Sequence, residues 1–117
     1  MRIKAVGVVG GGLMGSGIAQ VCAQAGYKTI ISEINDELLN KALQSIKGIL
    51  SRSVNRGRIT KEEEKLALAN LNGTTKLSDM SNCDLVIEAI IEKMDLKKKV
   101  FAELDQICPK HAILASN

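Results

Sequence analysis

Apolar positions along this chain follow two alternating rhythms. Ile3, Ala5, Val6, Val8 and Val9 form a near-continuous apolar run, the pattern of a parallel strand covered on both faces. Gly7 interrupts the run, which fits a close backbone approach at that point. Downstream, Ile18, Val21, Cys22 and Ala25 recur at i, i+3, i+4 and i+7 and so line one face of a helix, for which Gly26 supplies a C-terminal stop. A second apolar run over residues 29–32 reads as a second strand. Leu39, Ala42, Leu43, Ile46, Ile49, Leu50 and Val54 then repeat at helical spacing, which predicts one long amphipathic helix over residues 36–55 capped by Asn35. Gly57 breaks it, and Thr60-Lys61-Glu62-Glu63 has the form of a capping box opening a second helix to about residue 70. The series is completed by a short strand over 74–77, a polar turn over 78–82, a buried strand over 84–89, an amphipathic helix over 94–107 and a last apolar strand over 112–115.

The order β-α-β-α-α-β-β-α-β predicts an α/β fold. It is a Rossmann-like, doubly wound parallel sheet of strand order 3-2-1-4-5, with a helical hairpin inserted after the second strand. The chain shows no internal repeat, low-complexity segment or linker. At 117 residues it is one domain at most, and 45% hydrophobic with 25% charged residues is the composition of a soluble globular unit. No apolar stretch reaches the length of a membrane span, and the N-terminus reads as a strand instead of a signal peptide, so a cytoplasmic location is expected.

Charge and cysteine usage narrow the chemistry. A net charge of +3, with Tyr27 and Phe101 as the aromatic residues, speaks against nucleic-acid binding. Cys22, Cys83 and Cys108 have no close pair and no metal-ligand spacing, so they read as small apolar residues in a reducing compartment, and no metal site is expected. His111 falls in the polar segment before the last strand and reads as a surface loop residue.

The chemistry-bearing feature sits where the first strand turns into the first helix. Gly10, Gly12 and Gly15 have the G-x-G-x-x-G spacing that holds a dinucleotide pyrophosphate. Gly10 serves the tight turn, Gly12 leaves room for phosphates against the main chain, and Gly15 lets the helix pack close to the sheet. The pyrophosphate then faces N–H groups and the positive end of a helix dipole. Glu33, 23 residues after Gly10 and at the end of the second strand, is placed to accept hydrogen bonds from the adenosine ribose hydroxyls. A carboxylate there excludes a 2′-phosphate, so NAD is expected over NADP.

Three strings together are more specific than the glycines alone: residues 9–20 (VGGGLMGSGIAQ), 83–89 (CDLVIEA) and 113–117 (ILASN). Across essentially its whole length the chain resembles the NAD-binding domain of 3-hydroxyacyl-CoA dehydrogenases, and within them the bacterial 3-hydroxybutyryl-CoA dehydrogenases. The resemblance implies an enzyme that interconverts (S)-3-hydroxyacyl-CoA and 3-oxoacyl-CoA by hydride transfer to or from NAD, in fatty-acid or butanoate metabolism. It implies that Leu13, Met14, Glu92, Lys97 and Asn117 join Gly10, Gly12, Gly15 and Glu33 around the cofactor. Asp is more usual than Glu at position 33, and the longer side chain is expected to keep NAD preference. The helical hairpin would reach the nucleotide end of coenzyme A, with Arg56 nearest the contact position in a cationic tip that also holds Arg52, Arg58 and Lys61.

The resemblance also sets limits. The family's catalytic histidine follows the Ala-Ser-Asn motif, whereas His111 precedes it, so no catalytic residue is assigned within residues 1–117. The chain is expected to be the truncated NAD-binding part of a longer protein, inactive by itself. A helical domain beyond residue 117 would shape the acyl pocket and make a homodimer contact. Two other readings stand beside this one: a different Rossmann β-hydroxyacid dehydrogenase, and a non-catalytic NAD-binding or structural module.

Overall fold

The computed structural model describes residues 3–10, 12–89, 94–107 and 113–116. Five parallel strands form one sheet in the order β3-β2-β1-β4-β5. They are β1 (Ala5–Val9), β2 (Lys28–Ser32), β3 (Leu71–Thr74), β4 (Leu85–Glu88) and β5 (Ile113–Ser116). The helices are α1 (Leu13–Gln24), α2 (Asp36–Asn55), α3 (Lys61–Asn70) and α4 (Met94–Ile107), with a 3-10 helix over Leu77–Asn82 between β3 and β4. The doubly wound order and the α2–α3 hairpin after β2 are those the sequence predicts.

Alternation along β1 divides the core into two layers. Val6 and Val8 point to one face and pack with Ile31, with Ala19 and Ala23 of α1, and with Leu39, Ala42, Ile46 and Leu50 of α2. Gly7 and Val9 belong to the other face, where Val86, Val100, Leu104, Met80 and Cys83 gather. Ile46 and Leu50 are almost completely buried, and each such side chain contributes on the order of 1.5–3 kcal/mol. A Cβ on Gly7 would collide with the Met80 sulfur, so the glycine admits the 3-10 helix tightly against β1.

Helix ends are closed locally. Asn35 accepts a hydrogen bond from the Leu38 N–H at 2.8 Å, and Thr60 and Glu63 form the reciprocal capping box of α3. At the end of α1, the Gly26 N–H donates to the Ala23 carbonyl and the Tyr27 N–H to the Cys22 carbonyl, a Schellman closure with Gly26 at φ 96°.

Three expectations are corrected. The third strand lies at Leu71–Thr74 and not at 74–77, following α3 directly. Gly73 hides it from a propensity reading, yet a Cβ there would press on Leu39 and Leu43 of α2. The segment 78–82 is no simple polar turn: it is part of a 3-10 helix that buries Met80 completely, and Thr74 Oγ1 donates to Asp79 within it. On α1, Val21 is 64% exposed, and the buried stripe runs through Ser16, Ala19 and Ala23 instead, because small side chains let α1 lie close to the sheet. Ile18 and Cys22, also expected on that face, are partly buried and pack against the core, whereas Ala25 is exposed.

Candidate cofactor site

Sheet register aligns the pieces of the site. Val9 pairs with Ser32 on one side and Glu88 on the other, and Glu88 pairs with Ser116. The carboxyl ends of β1, β2, β4 and β5 therefore lie side by side at one edge of the sheet, where ligands bind in open α/β folds. Two backbone hydrogen bonds tie this edge together. The Gly10 N–H donates to the Ser32 carbonyl at 2.9 Å, and the Ala89 N–H donates to the Val9 carbonyl at 2.8 Å.

The glycines do the jobs their spacing suggests. Gly10 has φ 101°, a conformation an L side chain rarely adopts. Gly15 lies on Gly10 itself: a Cβ there would come within 2.8 Å of the Gly10 carbonyl carbon and closer still to its oxygen. Gly12 has an ordinary φ of −64°, and a Cβ there would meet nothing within 4 Å. Its missing side chain leaves a cradle in front of the helix start. Gly12 is also the N-cap of α1 and offers no side-chain cap, and the first turn of that helix carries no acidic residue. Both α2 and α3, in contrast, have capping side chains and acidic first turns. A helix start with backbone N–H groups, positive dipole and an open cradle fits a phosphate anion.

Glu33 stands across this cradle. Its N–H donates to the Thr74 carbonyl at 3.1 Å, which fixes its backbone to β3, and its Oε1 accepts from the Ile34 N–H at 3.1 Å. A cleft of about 250 Å³ is lined by Gly12, Ser16, Glu33, Leu38, Lys41, Ala42 and Ser45. Beside it in sequence, Met14 and Ile34 hold large apolar side chains out to solvent, 60% and 76% exposed. The cleft joins an anion cradle to a carboxylate, and it fits an adenine dinucleotide.

The structure thus brings Gly10, Gly12, Gly15 and Glu33 together, with Met14 alongside. Leu13 opens α1, and its side chain is outside the described residues, as is that of Lys97 on α4. Glu92 and Asn117 also lie outside them, together with Cys108 and His111. Glu88, completely buried at the end of β4, sits between Val9 and Ser116 and supports the sheet edge. Ser16, Leu38, Lys41 and Ser45 were not singled out from the sequence. The signal for the last three is their spacing on α2, one step round the helix from the core stripe Leu39, Ala42 and Ile46.

Elsewhere, Arg56 caps α2, and Arg58 and Lys61 follow it, all exposed at the hairpin tip. Arg52 does not join them: its guanidinium lies back over Gly48, 3.3 Å from where a Cβ would stand. Burial pushes the Cys22 thiol up and so disfavours a thiolate, and Cys83 is fully buried. Among the described residues no cluster of His, Cys, Asp and Glu could hold a metal ion, and no helix is long and apolar enough to cross a membrane.

Comparison with known proteins agrees with this geometry. Residues 5–117 match the family model described as 3-hydroxyacyl-CoA dehydrogenase, NAD binding domain. A 3-hydroxybutyryl-CoA dehydrogenase of Mycobacterium tuberculosis is 44% identical over 116 residues, covering 98% of this chain and 41% of the relative. A peroxisomal fatty acid beta-oxidation multifunctional protein of Oryza sativa is 40% identical over 116 residues, covering 99% of this chain and 16% of the relative. The crystal structure of (S)-3-hydroxybutyryl-CoA dehydrogenase from Ralstonia eutropha superposes with a TM-score of 0.95 at 37% identity, covering 99% of this chain and 41% of that one. The chain therefore spans less than half the length of each of these proteins.

Proposed function

We propose, on the premise that this chain belongs to the family of 3-hydroxyacyl-CoA dehydrogenase NAD-binding domains, that its cleft holds NAD and serves (S)-3-hydroxyacyl-CoA oxidation or the reverse reduction. The pyrophosphate lies over Gly12 at the start of α1, and the adenosine ribose hydroxyls donate to the Glu33 carboxylate. Leu13, Met14, Glu92, Lys97 and Asn117 would complete the set of residues that hold the cofactor. When bound, NAD supplies the hydride acceptor. The chain's own groups bind the cofactor, orient it and place its reactive ring at the carboxyl edge of β1, β4 and β5. The proton-transferring histidine and the acyl pocket belong to sequence beyond residue 117, where a helical domain also supplies a homodimer contact. Arg56 at the hairpin tip meets the phosphates of coenzyme A. The setting is cytoplasmic fatty-acid or butanoate metabolism.

One observation carries this reading: the Gly10–Gly15 contact places the uncapped start of α1 in the same cleft as Glu33. Its test is NADH titration of the full-length protein and its Glu33→Gln variant. Loss of charge-assisted hydrogen bonds should weaken binding about tenfold or more, with the circular dichroism spectrum unchanged. Equal affinity in the two proteins would remove Glu33 from the ribose site.

A further inference from the structure

The adenosine cleft has two walls of opposite character. Gly12, Ser16 and Glu33 form one, and Leu38, Lys41, Ala42 and Ser45 of α2 form the other. Positions 38, 41, 42 and 45 are spaced by three, four and seven residues, so they share one face of the helix. Glu33 is the one anion among the lining residues and Lys41 the one cation. The two side chains therefore act in opposite senses on a nucleotide phosphorylated at the 2′ oxygen.

Their anchoring differs as well as their sign. The Glu33 carboxylate is held on its own strand end, with Oε1 accepting from the Ile34 N–H. Lys41 carries a hydrated ammonium on a flexible stem and is exposed to solvent, so its field is the more strongly screened. With both present, the fixed carboxylate prevails and the cleft rejects a 2′-phosphate. Remove the carboxylate, and the ammonium remains as a phosphate anchor on the facing wall.

We infer that Lys41 is a second specificity-determining residue of this cleft, a latent contact for a 2′-phosphate that Glu33 overrules. The inference rests on the reading that the cleft binds the adenosine ribose. It makes cofactor preference a balance between two walls, so that neutralising Glu33 alone shifts the protein toward NADP with no added arginine.

The experiment titrates NADH and NADPH, by nucleotide fluorescence, into the full-length protein and its E33Q, K41Q, E33Q/K41Q and E33Q/K41R variants. E33Q should lose NADH affinity and gain NADPH affinity, each by about tenfold, the effect of one charge-assisted contact. E33Q/K41Q should lose that NADPH gain, whereas E33Q/K41R should keep it, and the Lys41-dependent part should shrink as salt is raised. If E33Q weakens NADH but E33Q/K41Q binds NADPH as tightly as E33Q, the Lys41 assignment fails while the ribose assignment stands. If E33Q binds NADH as tightly as the parent protein, both fall together.

Discussion

Gly15 rests directly on Gly10, so close that a Cβ on the helix residue would overlap the carbonyl group of the loop residue. Neither partner can yield cheaply, because both are backbone and Gly10 is itself tied to Ser32. Gly15→Ala should push α1 away from β1, costing about 1–3 kcal/mol or more in urea unfolding and abolishing measurable NADH binding. Gly12→Ala is the contrast, since nothing lies within 4 Å of its Cβ position and φ is −64°. That variant should unfold at the parent's urea midpoint within about 0.5 kcal/mol yet bind NADH about tenfold more weakly. Equal destabilisation by both substitutions would show that the two glycines share one structural job.

The strand order and both helices of the hairpin were legible in the sequence because each element carried a strong periodic or capping signal. The helix over 36–55 has seven apolar positions in register, and Asn35 and Thr60 mark their helix starts with side chains that the structure shows capping. What escaped was set by tertiary contact. Leu71-Asn72-Gly73-Thr74 has little strand propensity, and it is a strand because β2 pairs with it and α2 covers Gly73. Val21 looked buried by period alone, whereas the closeness of α1 to the sheet selects Ser16, Ala19 and Ala23. In the site, the glycines and Glu33 were visible as a spaced motif, but the α2 wall with Lys41 was not, since its residues carry no motif and acquire meaning only from the facing wall.

Thr60 has a separable structural role. Its Oγ1 accepts from the Glu63 N–H at 3.1 Å while the Thr60 N–H donates to Glu63 Oε1 at 3.0 Å. Thr60→Ala should cost about 1 kcal/mol in urea unfolding, and Thr60→Ser should restore most of it. No change in the unfolding midpoint would mean that packing of α3 on α1 holds the helix start without the cap.

Cations at the hairpin tip are expected to matter for substrate and not for cofactor. If the full-length protein is the dehydrogenase proposed above, charge reversal at Arg56 and Arg58 should raise KM for an acyl-CoA several-fold, more strongly at low salt, while the NADH dissociation constant serves as the internal control. An unchanged KM would leave the tip as a solvated surface.

Three helices begin on the sheet face that α1 shares with the hairpin, and two of them close their own ends with side chains. The third, α1, begins at a glycine with no cap and no acidic neighbour in its first turn. Nucleotide concentration is thereby entered into the stability of the domain. Each tenfold excess of NAD over its dissociation constant adds about 1.4 kcal/mol to the free energy of unfolding. A cell depleted of the cofactor would hold a population of this protein that unfolds more readily, so its abundance would follow the nucleotide pool as well as its gene.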